Sequence, residues 1–168
     1  LASETDSPAD GYGTGNGLYV RNSSDIAIEN NVFYNWYRAA NFANSTGLDI
    51  SSNEIHSIRS DGMDFVQVQD VIIRSNYIHD FITSPETGDH PDFIQFWSAG
   101  ATEPSVNITI DSNILIVGEG GVAQTIFMRN EAVDTGLYGM EMYYKNVAIT
   151  NNYILASDYH GITIGEVD

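Results

Sequence analysis

One pattern recurs five times along the chain, as IAIENN at 26–31, LDISSN at 48–53, VIIRSN at 71–76, ITIDSN at 108–113 and VAITNN at 147–152. Each copy has the form apolar-x-Ile-x-x-Asn, and a large apolar residue follows two positions after the asparagine. The closing asparagines lie 22, 23, 37 and 39 residues apart. We interpret these spacings as a repeat of about 22 residues with insertions in its last two intervals.

The alternation has a period of two and is rich in Ile and Val, which indicates β-strands rather than helices. A leucine-rich repeat has a similar length but requires leucines at fixed positions, and a β-propeller blade needs about twice this period. We therefore expect a coil of short strands. Each strand would pair in parallel with its copy in the next repeat, about 4.8 Å away.

The closing asparagines gain a structural role in that geometry. They would stack at one inward bend, where each side-chain amide can bond the backbone or the amide of the next repeat. Asparagine also tolerates the left-handed backbone conformation that a sharp bend requires. The predicted ladder consists of Asn31, Asn53, Asn76, Asn113 and Asn152.

This pattern resembles the right-handed parallel β-helix of the pectate-lyase-like superfamily over residues 17–168. The resemblance implies an all-β solenoid of about six coils with an asparagine ladder, and it leaves residues 1–16 as an N-terminal extension. The superfamily includes lyases, epimerases, hydrolases, esterases and phage spikes, so the fold alone does not select a function.

The composition excludes several classes of function. The chain has 6 Lys and Arg residues against 23 Asp and Glu residues, a net charge of −17, which argues against nucleic-acid binding and against docking on an anionic membrane. It has no cysteine, so disulfides, thiolate metal sites and cysteine nucleophiles are excluded. No signal peptide and no membrane span is recognisable. We expect a piece of a longer bacterial protein that is secreted or exposed at the cell surface.

Two acidic stretches match as D-x-x-D-F-[V/I]-Q, namely DGMDFVQ at 61–67 and DHPDFIQ at 89–95. If they occupy the same position on neighbouring repeats, Asp64 lies above Asp92 and Asp61 lies above Asp89. Two carboxylates about 5 Å apart have separated pKa values, which suits an acid paired with a base or a nucleophile. Two alternatives remain open: Asp61 and Asp89 as ligands of Ca²⁺, the one cofactor that the sequence favours, or bonding to backbone amides.

His90 lies between Asp89 and Asp92, where an imidazole can move a proton near neutral pH. The stretch DHPD contains, in another order, the residues of the acid-Pro-His-acid motif of alginate C5-epimerases, which it resembles. That resemblance implies neutralisation of a uronate carboxylate, removal of the C5 proton by a base, and protonation by an acid. The residues that could join these acids in neutralising the carboxylate or moving protons are Arg129, Lys145, Tyr143 and Tyr144.

Aromatic and histidine residues add candidates for substrate contact. The stretch YHGITIG at 159–165 resembles the G-H-G-I-S-I-G stretch of polygalacturonase-type hydrolases, which implies substrate contact by His160. Trp97 starts a long segment and is a candidate stacking surface for a sugar ring. His56 and His79 occupy equivalent positions and are expected to stack, but two ligands are too few for a metal site.

We expect a carbohydrate-active protein that acts on an extended polysaccharide along the outward face of the Asp64 sheet. Lyase or C5-epimerase chemistry on a uronate polymer leads, and hydrolysis by a pair of aspartates is the first alternative. A non-catalytic glycan-binding or structural module, as in an adhesin or phage spike, is the second. We expect neither nucleic-acid binding nor membrane insertion. We do expect self-association through the open ends of the coil.

Overall fold

The computed structural model describes residues 15–83, 90–119, 121–156 and 160–168, and these residues are mostly in β-strands. The strands are β1 (Asn16–Arg21), β2 (Ser24–Glu29), β3 (Val32–Tyr34), β4 (Arg38–Ser51), β5 (Glu54–His56), β6 (Met63–Arg74), β7 (Tyr77–His79), β8 (Asp92–Trp97), β9 (Val106–Asp111), β10 (Ile114–Ile116), β11 (Gln124–Met128), β12 (Lys145–Thr150), β13 (Tyr153–Leu155) and β14 (Ile162–Ile164). The two described helices, α1 (Glu131–Asp134) and a 3₁₀ helix (Met140–Met142), are too short to cross a membrane. The predicted N-terminal extension falls almost wholly outside the described residues.

The described strands form two sheets in which neighbouring strands run parallel, so the all-β prediction is confirmed. The larger sheet has nine strands in two rows that share β4 and β6. Its first row runs β1–β4–β6–β8–β11–β14, and its second row runs β2–β4–β6–β9–β12. The smaller sheet has the order β3–β5–β7–β10–β13. Parallel pairing between strands that are distant in sequence follows from the repeat, because each copy meets its equivalent.

The second row has the register that the repeat predicts. One line of paired residues contains Ile28, Ile50, Ile73, Ile110 and Ile149. The three central members of this line are at most 1 % exposed. Because a one-residue slip would turn every one of these side chains to the opposite face, burial of the isoleucines fixes the register. The first insertion is divided between the β7–β8 and β8–β9 connections, and the second lies mainly between β11 and β12.

The asparagine ladder is also confirmed. Asn53 donates from its backbone N to Asn76 Oδ1 at 2.9 Å and from its Nδ2 to the same oxygen at 3.0 Å. Asn76 makes the same two bonds to Asn113, at 2.9 and 3.0 Å. Each Nδ2 also donates to a backbone carbonyl, that of Ile50 in the case of Asn76. These three asparagines are at most 2 % exposed, and their amides are satisfied as buried polar groups require.

The prediction that the ladder asparagines adopt the left-handed conformation is wrong by one residue. The positive φ angles, between 53° and 57°, belong to the preceding residues Asn30, Ser52, Ser75, Ser112 and Asn151. The ladder asparagines are absent from the positive-φ residues of the described ranges. The bend is therefore made by a short polar residue that tolerates this conformation. The ladder asparagine that follows it directs its side-chain amide inward.

The register between β6 and β8 corrects a second prediction. Met63 pairs with Ile94, Asp64 with Gln95 and Phe65 with Phe96, so Asp64 does not lie above Asp92. The expected register is wrong by three residues.

Aromatic packing in the core explains this register. Phe65 stacks between Phe42 and Phe96, with ring centroids 4.9 and 4.6 Å apart. Phe93, which the sequence motif aligned with Phe65, packs instead against Phe81 at 4.3 Å. Both Phe93 and Phe96 are fully buried, so in this register the two aromatic side chains fill separate places in the core, Phe96 in the stack with Phe65 and Phe93 against Phe81.

Candidate active site

Two buried aspartates share one arginine on the outward side of the first row. Arg38 opens β4, and Asp61 and Asp64 lie just before and within the start of β6. The Arg38 Nε atom is 2.8 Å from Asp61 Oδ2 and 2.7 Å from Asp64 Oδ2. The two carboxyl groups are 3 % exposed, whereas the Arg38 side chain is 33 % exposed. One guanidinium thus faces two carboxyl groups that water hardly reaches.

This arrangement keeps a proton on the pair. Burial raises the pKa of Asp64 to about 8, the charge of Asp61 raises it as well, and Arg38 offsets only part of the shift. Burial also raises the pKa of Asp61, against the lowering effect of Arg38. Burial would lower the pKa of Arg38, but the charges of Asp64 and Asp61 outweigh it and raise that pKa. Of the two aspartates, Asp64, with a pKa raised to about 8, is the one that favours the protonated form at neutral pH, which a general acid requires.

Asp64 lines a pocket of about 390 Å³ together with Arg38, Asn41, Gln95, Trp97 and Glu131. Asn41, Asp64 and Gln95 are register partners on β4, β6 and β8, so they form one line across the sheet. Asn41 Nδ2 donates to Asp64 Oδ2 at 3.4 Å. Asp64 Oδ1 is buried and has no hydrogen-bond partner among the described residues. This oxygen is shielded from solvent, and the carboxyl group contacts Arg38 and Asn41 through Oδ2.

Trp97 and Glu131 form the other side of this pocket. Trp97 ends β8 and is half-buried against a small apolar cluster made by Ala43, Val66, Ala101, Ala132 and Met142. The Glu131 carboxylate accepts a hydrogen bond from Ser98 N at 2.8 Å. The pocket thus combines a protonated carboxyl group, a second carboxyl group and an aromatic ring, which are the usual components of a sugar-binding site. The prediction for Trp97 is compatible with this position, whereas Glu131 was not predicted.

His90 and Asp92 form a separate hydrogen-bonded pair on the same side of the sheet. His90 Nδ1 is 3.1 Å from Asp92 Oδ2, and its Nε2 is 2.8 Å from Gln124 Nε2. Asp92 is completely buried, whereas the His90 side chain is 57 % exposed. The imidazole ring lies 5.4 Å from the ring of Phe127, which pairs with Gln95 in the pocket line. His90 thus lies beside the Phe127 end of this line, and Asp64 lies two strand spacings, or about 10 Å, from Phe127 along the line.

Asp61 links these two groups. Its Oδ1 accepts a hydrogen bond from Asp92 N at 3.1 Å, and its Oδ2 accepts from Arg38 Nε and Ser60 Oγ. The prediction of backbone bonding by the acids is confirmed for this residue. A carboxylate that already has these donors and a guanidinium beside it fits a calcium ligand poorly.

The other predicted calcium ligand and catalytic acid, Asp89, lies outside the described residues. Within the described ranges no group of three or more His, Asp or Glu residues is placed to hold a metal ion. The predicted stacking of His56 on His79 is confirmed, with centroids 5.3 Å apart. Both nitrogens of His79 face carboxylates, those of Asp80 and Glu54.

The structure does not bring the remaining predicted residues to the pocket. Arg129 Nε pairs with Asp134 Oδ2 at 2.8 Å, which is a surface ion pair. Tyr144 is 1 % exposed, and its hydroxyl donates to the Arg129 carbonyl at 2.6 Å. Burial, and then the charges of nearby carboxylates, raises the pKa of Tyr144. Tyr144 is therefore a core residue that a substrate at the surface does not reach.

Tyr143, Lys145 and His160 are placed elsewhere. Tyr143 precedes β12, and Lys145 opens that strand and pairs with Val106 in the second row. His160 is exposed and lies two residues before β14. The pocket residues that the sequence did not single out as functional are Arg38, Asn41, Gln95 and Glu131. The alignment of DGMDF (61–65) with DFIQF (92–96) could have found Gln95, because it places apolar residues at equivalent positions and Gln95 beside Asp64.

The chain carries two connected polar groups on one sheet face: a pocket around a protonated Asp64, and the exposed His90 on a buried Asp92. The line Asn41–Asp64–Gln95–Phe127 joins them across neighbouring strands. An extended ligand lying along this line would contact both groups. No protein-family model, curated protein or solved structure matches the chain, so its chemistry is argued from this geometry.

Proposed function

We propose that the chain is part of a right-handed parallel β-helix of about six coils that binds an extended polysaccharide along the first-row line of the larger sheet. The in-register repeats and the continuous asparagine ladder support the winding. The open outward face, with Trp97 beside the pocket and carboxyl and amide groups within it, supports glycan as the ligand. A bacterial protein that is secreted or held at the cell surface would meet such a polymer.

The reaction proposed is lyase or C5-epimerase chemistry on a uronate-containing glycan. The observation that carries this proposal is the set of hydrogen-bond donors in the pocket: Arg38, Asn41, protonated Asp64 and Gln95. A uronate carboxylate must be neutralised before its neighbouring C5 proton becomes acidic enough to remove. A guanidinium, two amides and a neutral carboxylic acid can supply that neutralisation in a chain whose net charge is −17, because Asp64 adds no negative charge when it is protonated.

His90 is the proposed base. Its Nδ1 faces the buried Asp92 carboxylate, which stabilises the imidazolium that forms when the ring takes the C5 proton. The sugar would lie between the two groups with its carboxylate at Gln95, which pairs with Phe127 beside the His90 ring. The electron pair of the broken C5–H bond moves toward that carboxyl group. Loss of the C4 substituent, with a proton delivered to its oxygen, gives an unsaturated uronate. Return of a proton to C5 from the opposite face gives the epimer.

Hydrolysis is the second candidate, and Glu131 is the observation that favours it. Its carboxylate lines the same pocket as protonated Asp64, and an acid with a second carboxyl group across a sugar-binding site is the arrangement of glycosidases. In this mechanism Asp64 protonates the leaving oxygen. Glu131 activates water or attacks the sugar.

The experiment exposes the protein to alginate, pectate, hyaluronan and neutral glycans in deuterium oxide. We expect deuterium at C5 of a uronate if a proton is returned to C5. If the glycosidic bond breaks instead, we expect ultraviolet absorbance of an unsaturated product that has no hydrogen at C5. Asp64→Asn, His90→Gln and Asp92→Asn should abolish this reaction. Glu29→Gln, a carboxyl-to-amide change in the second row, is the control and should leave it intact.

Other outcomes contradict the proposal in defined ways. New reducing ends without deuterium or ultraviolet absorbance would indicate hydrolysis. Glycan binding without turnover would indicate a binding module. No binding to any of these polymers would refute the assignment of glycan as the ligand.

A further inference from the structure

A chain of three polar contacts connects His90 to two further strands of the first row. Thr163 Oγ1 donates to Gln124 Oε1 at 3.3 Å. Gln124 Nε2 lies 2.8 Å from His90 Nε2, and His90 Nδ1 lies 3.1 Å from Asp92 Oδ2. The register places these groups together, because Gln124 of β11 pairs with Asp92 of β8, and Thr163 of β14 pairs with Phe127 of β11.

The contacts determine which ring nitrogen carries the proton. An amide nitrogen donates hydrogen bonds and does not accept them, so His90 Nε2 must be the acceptor of its contact with Gln124. In this orientation of the amide, the Thr163 hydroxyl donates to the Gln124 amide oxygen. The buried Asp92 carboxylate is an acceptor, so His90 Nδ1 must be the donor of the other contact. The neutral ring is thus the tautomer with hydrogen on Nδ1 and a lone pair on Nε2.

We infer that Gln124 is a positioning residue that holds the neutral His90 ring as the Nδ1-protonated tautomer by donating to its Nε2 lone pair, so that a C5 proton reaches this lone pair only after the amide has turned away. The catalytic meaning of this tautomer rests on the proposed function. When Nε2 takes a proton, the Gln124 amide must rotate so that its oxygen accepts from the new N–H. The Thr163 hydroxyl can then accept from the amide nitrogen. Gln124 therefore serves the neutral ring in one orientation and the imidazolium in the other.

Nitrogen-15 NMR of the histidine side chains tests the inference without any substrate. At a pH at which the His90 ring is neutral, the wild-type spectrum should show a protonated Nδ1 and an unprotonated Nε2. Gln124→Glu replaces the donor with an acceptor of the same shape, and at the same pH it should place a proton on Nε2. The control, Gln69→Glu, makes the same change in the second row and should leave the His90 signals as in the wild type.

Two results would overturn the inference: a neutral wild-type ring that carries its proton on Nε2, or a Gln124→Glu spectrum with Nε2 still unprotonated. The wild-type spectrum decides the matter even if Gln124→Glu does not fold. If the proposed uronate chemistry is correct, Gln124→Glu should also lower kcat by about 100-fold or more with little change in KM. If the spectra are as predicted but the protein turns over no glycan, the proposed function is wrong and the tautomer assignment stands.

Discussion

Replacing Asn76 with alanine tests the asparagine ladder at its most buried point. Asn76 Oδ1 accepts from Asn53 N and Nδ2, at 2.9 and 3.0 Å. Its Nδ2 donates to the Ile50 carbonyl and to Asn113 Oδ1, at 2.9 and 3.0 Å. The Asn76 side chain therefore makes four hydrogen bonds, and the residue is only 1 % exposed.

The cost follows from the groups that lose a partner. In Asn76→Ala, Asn53 Nδ2 keeps its bond to the Ile28 carbonyl, and Asn113 Oδ1 keeps its bond from Asn76 N. The buried Asn53 N–H and the Ile50 carbonyl each lose the bond that Asn76 supplied. A buried polar group left without its partner costs about 1–3 kcal/mol, so the variant should lose about 2–6 kcal/mol of unfolding free energy.

The control is the same substitution at the exposed end of the ladder. Asn31 donates from Nδ2 to Asn53 Oδ1 and to the Glu29 carbonyl, and water can replace both bonds. Asn31→Ala should therefore cost about 0.5 kcal/mol or less. Urea denaturation followed by far-ultraviolet circular dichroism measures both variants. Equal losses in the two variants would refute the assignment of the stabilisation to buried amide bonding.

Three further predictions concern the site and its surroundings. Folding raises the pKa of Asp64 from 3.8 to about 8, so the protonated group contributes fully to the unfolding free energy below pH 3.8, and this contribution is lost as the pH rises through about 8. Asp64→Asn should flatten this decline in a pH series of urea denaturations. An unchanged slope would contradict the pKa shift. Arg38→Gln removes the cation that partly offsets this shift, so the pKa of Asp64 should rise further in a carbon-13 NMR titration, whereas a fall would show that Arg38 does not stabilise the carboxylate. Tyr144→Phe leaves the Arg129 carbonyl without its 2.6 Å donor and should cost about 0.5–1.5 kcal/mol in urea denaturation, the net contribution of one hydrogen bond. A variant as stable as the wild type would show that this bond adds nothing.

The second row and the ladder could be predicted from the sequence because the same residue types recur at the same positions. Ile50, Ile73 and Ile110 repeat one burial requirement, and Asn53, Asn76 and Asn113 repeat one hydrogen-bonding requirement. Aligning each copy with the next one therefore gives the register between their strands directly. Stacking of His56 on His79 followed from the same spacing.

The first row could not be predicted in the same way, because the segment between β7 and β8 changes the spacing. There the similarity of DGMDFVQ and DHPDFIQ outweighed the requirement that Phe65 and Phe96 share the core. Arg38 follows two aromatic residues, and the sequence indicated packing rather than a partner for acids 23 and 26 residues further on. Glu131 and Gln124 belong to segments whose spacing matches no other copy, so only the folded chain shows what they face.

The ladder has a polarity along its length. In every described pair, the asparagine nearer the N-terminus is the donor and the next one is the acceptor, from Asn31 through Asn53, Asn76 and Asn113 to Asn152. A duplicated repeat spliced in between two existing ones would find an acceptor on one side and a donor on the other, so the chain could be lengthened or shortened by whole repeats. A repeat fused in the reverse orientation would place a donor against a donor at one junction and an acceptor against an acceptor at the other. Longer scaffolds built from this chain must therefore keep all repeats in the same direction.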